Sequence, residues 1–270
     1  MSEQQKIVFI GAGNMAEALV KGLCNAGVPS HSIATTDPRA ERLEYFKTTY
    51  GVGASSDNAE AATGADTIVL AVKPQHISEV LASLRGVAPD ALYVSIAAGI
   101  PTARIEKELS GRPRVVRVMP NTPALVGAGV SALCAGAHAT TADLERAESL
   151  LRAVGATVRV TESQMDAVTA VSGSGPAYVF RVMEAMEQAG VELGLSSEVT
   201  RELVLQTFLG ASKLAVESGR APQLLREQVT SKGGTTEAAL KVLNERDLVG
   251  VFSEALSAAA RRARELANGA

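Results

Sequence analysis

The stretch Ile7-Val8-Phe9-Ile10-Gly11-Ala12-Gly13-Asn14-Met15-Ala16 decides the fold, because an apolar strand runs directly into G-x-G-x-x-A and then into a helix. Gly11 permits the tight turn, Gly13 lets backbone approach a pyrophosphate, and Ala16 allows close packing of helix on strand. The amino end of the helix attracts phosphate charge. A plain glycine turn is the alternative, but its place at the start of a βαβ pattern favours dinucleotide binding.

Outward from this motif, short β-branched runs alternate with amphipathic helical stretches, a pattern typical of a parallel sheet covered by helices. Beyond Glu162 the strand signals stop and helices follow. The fold class we predict is α/β: an N-terminal Rossmann-type doubly wound sheet over residues 1–162 and a C-terminal all-helical domain over residues 163–270. The predicted strands are residues 7–10, 32–36, 53–55, 67–72, 92–96 and 115–119, with 129–135 and 157–160 extending the sheet.

Composition excludes several classes of function. The 270 residues carry 26 basic and 29 acidic side chains, a net charge of −3, which gives no footprint for DNA or an anionic membrane. With five Phe, four Tyr and no Trp, platforms for stacking nucleobases are scarce. Cys24 and Cys134 have neither metal-ligand nor disulfide-framework spacing, and the N-terminus lacks a signal-type apolar segment. We expect a cytoplasmic protein with small-molecule partners, and neither nucleic acid nor membrane among them.

Asp37 ends the second predicted strand, in Thr35-Thr36-Asp37-Pro38-Arg39, where a carboxylate usually meets the adenosine ribose. This acid accepts hydrogen bonds from a 2′-hydroxyl and repels a 2′-phosphate, whereas Thr36, Arg39 and Arg42 can hold that phosphate. Asp37 can equally cap the turn before Pro38. The motif therefore does not decide between NAD, which carries the 2′-hydroxyl, and NADP, which carries the 2′-phosphate.

Three more strand ends point to the same cleft, because ligands bind at the carboxyl ends of strands in such sheets. They are Leu70-Ala71-Val72-Lys73-Pro74, Ser95-Ile96-Ala97-Ala98-Gly99 and Arg117-Val118-Met119-Pro120-Asn121-Thr122-Pro123. Lys73 is a candidate proton donor or anion contact, or an ordinary surface lysine. Asn121 offers an amide contact or belongs to a simple turn. The segment 171–178, VSGSGPAY, either approaches a ligand or breaks a helix.

The segment 229–240, VTSKGGTTEAAL, is a hydroxyl-rich glycine loop that opens a helix. Backbone N–H groups from Gly233 to Thr236 are expected to be free at the helix start and to bind a carboxylate, with side-chain hydroxyls completing the contacts. An ordinary helix cap is the alternative, but a cap needs one hydroxyl and no glycine pair. We favour a ligand loop.

Residues 178–193 carry apolar side chains around much of a predicted helix, so this helix needs apolar neighbours on several sides. A partner chain or burial within one helical domain would supply them equally well. His31, His76 and His138 belong to no constellation, and the chain has no H-E-x-x-H and no nucleophile elbow. We therefore predict no metal site and no general-base hydrolysis.

Taken together, GAGNMA, AVKP, SIAAG, MPNTP, VSGSGPAY and VTSKGGTTEAAL, in this order, resemble the pyrroline-5-carboxylate reductase family over essentially the whole chain. The resemblance implies a helical C-terminal dimerisation domain, a homodimer or an assembly of dimers, and reduction of 1-pyrroline-5-carboxylate by NADPH or NADH. The chain departs from the family pattern at Lys232, where proline is usual, and at Asp37, where an acid is often absent.

Most residue roles follow from the same resemblance; Asp37, Arg39 and Asn121 are added from the strand ends described above. Thr236 is the candidate catalytic residue, since a protonated cyclic imine needs orientation and a hydrogen-bond partner at its nitrogen. Two rivals are a 3-hydroxyacid dehydrogenase of the 6-phosphogluconate type and a nucleotide-binding regulator without turnover. The expected substrate contacts are Ser231, Gly233, Gly234, Thr235, Thr236 and Asn121. The expected cofactor contacts are Gly11, Ala12, Gly13, Asn14, Met15, Ala16, Thr36, Asp37, Arg39, Asn58, Ala71, Val72, Lys73, Pro74, Ile96, Ala97 and Ala98.

Overall fold

The computed structural model describes residues 5–267, and the expected absence of a signal segment at residues 1–4 lies outside this range. The described chain forms two compact units. One comprises residues 5–174 with 259–267, and the other is Gly175–Ala258. The sequence predicts a boundary between functional domains at residues 162 and 163, whereas the structural division follows residue 174. The functional boundary stays a prediction.

The first unit is built on one eight-stranded sheet, and every predicted strand is present. The predicted strand 32–36 begins one residue later, because the Ser32 amide closes a short turn onto the Pro29 carbonyl at 3.0 Å. The predicted strand 67–72 ends at Leu70. The strands are β1 (Ile7–Ile10), β2 (Ile33–Thr36), β3 (Gly53–Ser55), β4 (Thr67–Leu70), β5 (Leu92–Ser95), β6 (Arg114–Met119), β7 (Gly129–Ala135) and β8 (Gly155–Arg159).

Strand order in the sheet is β3-β2-β1-β4-β5-β6-β7-β8. All neighbours pair in parallel except β6 and β7, which pair antiparallel. The chain order reverses around β1, which has β2 on one side and β4 on the other. In such sheets a crevice for a ligand opens at this reversal, outside the carboxyl ends of the strands.

Helices cover both faces of the sheet, which is why its central strands are apolar without alternation. Ile7 and Phe9 of β1 pack on one face, and Val8 and Ile10 pack on the other. The helices of this unit are α1 (Asn14–Asn25), α2 (Ala40–Tyr50), α3 (Asn58–Ala62), α4 (Ile77–Leu84), α5 (Thr102–Leu109), α6 (Thr141–Leu151) and α7 (Met165–Val168). The first, second and sixth lie over Ile7 and Phe9, and the third to fifth over Val8 and Ile10.

The second unit is helical, as predicted. It contains α8 (Gly175–Glu192), α9 (Ser197–Ser218), α10 (Pro222–Gln228), α11 (Thr235–Glu245) and the first part of α12 (Leu248–Ala267). Helices α8 and α9 approach closely at Gly190, where a Cβ would lie 2.4 Å from Thr200 Cγ2. Among the described residues of this unit, only Thr200 and Val204 are buried.

The apolar side chains of α8 are exposed rather than buried within the chain. Phe180 is 58% exposed and Met186 is 42% exposed. Burial within one helical domain, one of the two explanations offered for residues 178–193, is therefore wrong for this chain by itself. Within the part of the chain that the structure describes, no helix combines the length and the apolar character that a membrane span requires.

Candidate active site

The turn after β1 requires glycine at one position for reasons internal to the fold. Gly11 has φ +105°, and a Cβ there would lie 2.6 Å from the carbonyl oxygen of Ala71. Its amide donates to the Thr36 carbonyl at 2.9 Å, which fixes the turn against β2. Any side chain at position 11 would strain the backbone and clash with the end of β4.

Gly13 is different, because the described protein leaves space for a side chain there. Its φ is −77°, and apart from its own chain neighbours no described part of the protein lies within 4 Å of the position that a Cβ would take. Gly13 precedes α1, whose amino end has no side-chain cap. Free N–H groups beside an open backbone surface fit the pyrophosphate of a dinucleotide. The residues present therefore fit the expected cofactor.

A pocket of about 520 Å³ opens beside this turn at the carboxyl ends of β1, β2 and β4. Several expected cofactor residues line it: Gly11, Gly13, Thr36, Asp37, Arg39, Asn58, Ala71, Val72 and Lys73. The structure does not place the other expected cofactor residues in its lining; these are Ala12, Asn14, Met15, Ala16, Pro74, Ile96, Ala97 and Ala98.

Sequence reasoning missed one wall of the pocket. His76, Glu79, Val80 and Ser83 line it, together with Ser56. His76, Glu79, Val80 and Ser83 follow the Lys73-Pro74 strand end at spacings of three and four residues. Such spacing predicts that their side chains share one face of a helix, and it is the sequence signal for this wall of the pocket. His76 therefore belongs to the candidate site, contrary to the expectation that it stands alone.

Asp37 is almost fully buried, with 8% of its surface exposed, and both of its oxygens are partnered. It accepts hydrogen bonds from the Ala12 amide at 3.0 Å and from Arg39 Nε and Nη2 at 2.8 and 3.0 Å. Burial raises the pKa of Asp37, but these hydrogen bonds outweigh it and hold the pKa below the ordinary value. The Arg39 amide also donates to it at 3.1 Å, so the local turn role is present as well.

Arg42 does not take the position expected of a phosphate ligand. Its Nε donates to the Ala12 carbonyl at 2.9 Å, and its Nη2 pairs with Glu17 at 2.7 Å. These contacts orient the Arg42 guanidinium toward the glycine turn between β1 and α1. Thr36, by contrast, lines the pocket and donates to Asn58 Oδ1 at 2.6 Å, which joins two expected cofactor residues from different elements.

The glycine-threonine loop lies in the second unit, beside a pocket of about 700 Å³ between α10 and α11. Gly233 has φ +73°, and a Cβ on Gly234 would lie 2.5 Å from Ser231 Oγ, so both glycines are needed locally. Thr236 is half-buried at the start of α11. Thr230, Gly233 and Gly234 line this pocket.

Two of the four amides expected to be free in this loop are already bonded, which corrects the expectation. The Gly233 amide donates to Glu237 Oε2 at 2.8 Å, and the Gly234 amide donates to the Ser231 carbonyl at 3.0 Å. The amides of Thr235 and Thr236 have no partner among the described residues. The anion-binding capacity of the loop therefore rests on these two threonines.

Asn121 and the VSGSGPAY segment have structural contacts of their own. Asn121 Oδ1 accepts from the Val130 amide at 2.9 Å, which anchors the loop before β7 and leaves only its NH₂ group for a ligand.

Residues Thr169–Gly173 form a π-helical turn that leads into α8. A Cβ on Gly173 would lie 2.4 Å from Met119 Cε, so this segment packs against the end of β6.

An ion pair between a buried arginine and a partly exposed glutamate, which sequence reasoning did not single out, lies beside the same sheet edge. Arg117 of β6, 4% exposed, pairs with Glu162. Glu162 also accepts from Thr102 Oγ1 at 2.9 Å and from Cys134 Sγ at 3.4 Å. Burial and the Glu162 charge raise the pKa of the Cys134 thiol to about 12, so this cysteine stays protonated.

Comparison with known proteins gives a consistent family. Residues 162–266 match the model for pyrroline-5-carboxylate reductase dimerisation, and residues 6–99 match the model for coenzyme F420-dependent NADP oxidoreductase. The chain is 49% identical to a pyrroline-5-carboxylate reductase of Pseudomonas aeruginosa over 97% of each protein. It is 43% identical to the Haemophilus influenzae enzyme of the same name over 98% of each.

Solved structures agree with this. A pyrroline-5-carboxylate reductase from Coxiella burnetii has a TM-score of 0.94 at 43% identity, covering 97% of this chain and 98% of that one. The Plasmodium falciparum pyrroline carboxylate reductase with NADP bound has a TM-score of 0.87 at 31% identity, covering 99% and 100%. These matches confirm the resemblance drawn from the motifs and set aside the 3-hydroxyacid dehydrogenase. This chain belongs to the pyrroline-5-carboxylate reductase family.

Proposed function

We propose that this chain reduces the C=N bond of 1-pyrroline-5-carboxylate to give L-proline, the last step of proline biosynthesis, with NADPH as its preferred reductant. Gly13 carries the argument on the structural side: the fold leaves space for a side chain there, and a bound pyrophosphate accounts for the glycine. The family match over the whole chain supplies the substrate.

The cofactor residues divide by the part of the dinucleotide that each would hold. Gly13 and the first turn of α1 offer amides to the pyrophosphate. Arg39, 54% exposed at its side chain and already charge-paired with Asp37, lies in the pocket wall where a 2′-phosphate would lie. Thr36 and Asn58 meet nearby. Lys73 is exposed, lines the same pocket and would be a further anion contact.

Substrate binding rests on the loop before α11. The free amides of Thr235 and Thr236, with the hydroxyls of Ser231 and Thr235, offer donors to the substrate carboxylate. Because Glu237 occupies the Gly233 amide, that donor becomes available only if Glu237 turns away. Gly233 and Gly234 would shape this loop. Asn121, in the sheet unit, stays a predicted substrate contact through its NH₂ group.

Thr236 is the residue that we place at the reacting bond. When bound, NAD(P)H supplies the hydride that the imine carbon accepts. The imine takes its proton from water, so the chain needs only to orient the ring and to bind its nitrogen. The Thr236 hydroxyl would make that contact as the nitrogen changes from iminium to amine. This role requires no histidine and no metal.

Self-association follows from the helical unit, and we propose a homodimer. Large apolar side chains are exposed on this unit, among them Phe180 and Met186 on α8 and Leu209 on α9. A second copy that packs its own helices on these faces would bury them.

We place the enzyme in the cytoplasm. Cys24 and Cys134 are both free thiols, and the buried Cys134 lies among Arg117 and Glu162 rather than beside another sulfur. Reduced cysteines of this kind are typical of a reducing compartment.

The test of the proposed activity is the loss of NADPH absorbance with 1-pyrroline-5-carboxylate, coupled to chromatographic detection of L-proline. The proposal expects NADPH oxidised and proline formed in equal amounts, and no reaction with 3-hydroxyacids and NADP. Binding of NADPH without turnover would instead favour the regulatory protein considered above.

A further inference from the structure

The backbone of Ala12 is held at its amide and at its carbonyl, which belong to two successive peptide groups, by side chains from outside the glycine turn. Its amide donates to Asp37 Oδ2 at 3.0 Å, and its carbonyl accepts from Arg42 Nε at 2.9 Å. Ala12 itself is fully buried. Glycines on either side leave this backbone with more conformational freedom than any other residue type would. Asp37 and Arg42 thus fix the conformation of a backbone segment that its glycines would otherwise leave flexible.

The contact at the carbonyl has a direct consequence for Gly13. The Ala12 C=O and the Gly13 N–H belong to one peptide group, which is planar and trans, so they point in opposite directions. A hydrogen bond that fixes the carbonyl therefore fixes the direction of the Gly13 amide. If this peptide turned over, a carbonyl oxygen instead of an N–H would face an incoming phosphate.

Arg42 is itself held in place by a cluster on α1 and α2. Its Nη2 lies 2.7 Å from Glu17 Oε2, and Glu17 Oε1 accepts from the hydroxyls of Tyr45 at 2.9 Å and Tyr50 at 3.1 Å. The guanidinium lies over the rings of Tyr45 and Phe46, 5.0 and 5.3 Å from their centroids. Its orientation is thus determined on three sides.

We propose that Arg42 and Glu17 are positioning residues for the dinucleotide: Glu17 holds Arg42, and Arg42 holds the Ala12–Gly13 peptide so that the Gly13 amide faces the pyrophosphate. The inference rests on the proposed cofactor site. It gives Arg42 a role that is independent of the 2′-phosphate, because the contact passes through the backbone of the glycine turn. A preorganised turn binds more tightly because no ordering cost is left for the ligand.

The experiment compares three ligands on the full-length protein by calorimetry: NADPH, NADH, and adenosine 2′-monophosphate, which lacks the pyrophosphate. Arg42→Ala is expected to weaken NADPH and NADH alike, by about tenfold or more, and to leave adenosine 2′-monophosphate unchanged. Glu17→Gln, which keeps hydrogen-bonding capacity but removes the charge, is expected to show the same pattern with a smaller loss. Arg104→Ala is the matched control, because it removes another partly exposed, ion-paired arginine that does not line the cofactor pocket.

Two results would overturn the inference. Losses confined to NADPH and adenosine 2′-monophosphate would show that Arg42 reads the 2′-phosphate directly. Unchanged affinities, with only a lowered melting temperature, would show that the cluster merely stabilises the fold. If Arg42→Ala does not fold, Glu17→Gln decides between these outcomes. Gly13→Ala tests the underlying site separately: normal NADPH binding by that variant would place the cofactor elsewhere.

Discussion

The carboxylate of Asp37 and the guanidinium of Arg39 form a two-point ion pair, with Nε and Nη2 at 2.8 and 3.0 Å from the two carboxylate oxygens. An acid at this strand end ordinarily selects against a 2′-phosphate. Here its charge is compensated by a neighbour two residues away, and Arg39 Nη1 has no partner among the described residues. Arg39 can therefore bind Asp37 and a 2′-phosphate together.

Arg39→Ala is expected to raise KM for NADPH more than KM for NADH. The variant loses one charge-assisted bond to the phosphate and leaves the Asp37 charge uncompensated. Because Arg39 is half exposed, the expected difference is about 1.5 kcal/mol, or roughly tenfold. Steady-state kinetics with both reductants measures it.

The double variant Asp37→Asn with Arg39→Ala serves as the control. If Arg39 acts partly by neutralising Asp37, removing the acid restores part of the lost NADPH affinity. Equal effects of Arg39→Ala on NADPH and NADH would show that Arg39 does not read the phosphate.

Gly13→Ala is expected to fold normally and to lose affinity for both dinucleotides. Its φ of −77° and the open space around it accommodate a methyl group without strain. The substitution is therefore expected to weaken dinucleotide binding and to leave the stability of the fold unchanged. Gly11→Ala is the contrasting variant, since its φ of +105° and the Ala71 oxygen penalise the fold itself. Thermal melting and NADPH titration of both variants separate the two effects. A Gly13→Ala protein that binds NADPH normally would contradict the assignment.

Thr236→Val keeps the shape of the side chain and removes its hydroxyl. If that hydroxyl bonds the ring nitrogen, kcat/KM for 1-pyrroline-5-carboxylate falls by roughly 10- to 150-fold, or about 1.5–3 kcal/mol, with NADPH binding nearly intact. Thr235→Val should be milder, because its carboxylate contact is shared with backbone amides. Wild-type kcat/KM in Thr236→Val would require another partner for the nitrogen, with Lys73 and Asn121 the next candidates.

Phe180→Asp is expected to produce monomers, because it places a charge on the exposed apolar face of α8. Light scattering checks the mass, and NADPH titration checks that the sheet unit remains folded. The same measurement on the unaltered chain should give a dimer across the micromolar range. A stable, folded and active monomer at those concentrations would contradict the proposal.

Glu162→Gln is expected to lower the free energy of unfolding at neutral pH by about 1–2 kcal/mol, allowing for the partial exposure of Glu162. Burial raises the pKa of Glu162, but Arg117 outweighs it, so the folded pKa lies below the ordinary value. The stabilisation is therefore present above the unfolded pKa and is lost as pH falls through the folded one.

Urea unfolding of both proteins as a function of pH measures this directly. The gap between wild type and Glu162→Gln should be widest near neutral pH and should close in acid. Glu108→Gln, which breaks the more exposed pair with Arg104, provides a control with a smaller effect. A gap that is independent of pH would mean that the charge of Glu162 contributes nothing.

The sheet was predictable because its signals are local. Residues 7–10 are mostly β-branched and residues 129–135 are mostly small or apolar; both runs are bounded by turns, and both strands occur with these bounds. The glycine turn was predictable for the same reason, since Gly11 and Gly13 stand at fixed offsets between strand and helix. The helical face of His76, Glu79, Val80 and Ser83 is short, so its periodicity is a weaker sequence signal. Whether this face lines a pocket depends on where α4 packs.

Partnerships between distant charges could not be predicted. Arg39 and Arg42 are equivalent in sequence as candidates for a phosphate, yet Arg39 pairs with Asp37 whereas Arg42 bonds the Ala12 carbonyl and Glu17. Likewise, nothing local indicates that Glu237 occupies the Gly233 amide or that Glu162 meets Arg117. Such contacts depend on side-chain rotamers and on neighbours that only the assembled fold supplies.

The most direct test of the central claim follows the transferred hydrogen. The chain is supplied with NADPH carrying deuterium at the transferable position of the nicotinamide, together with 1-pyrroline-5-carboxylate, and the product is analysed by mass spectrometry. The account predicts L-proline carrying a single deuterium at the former imine carbon, formed in step with NADP and lost when Gly13 is replaced by Ala. Proline without deuterium, or NADPH oxidised with no proline formed, would contradict it.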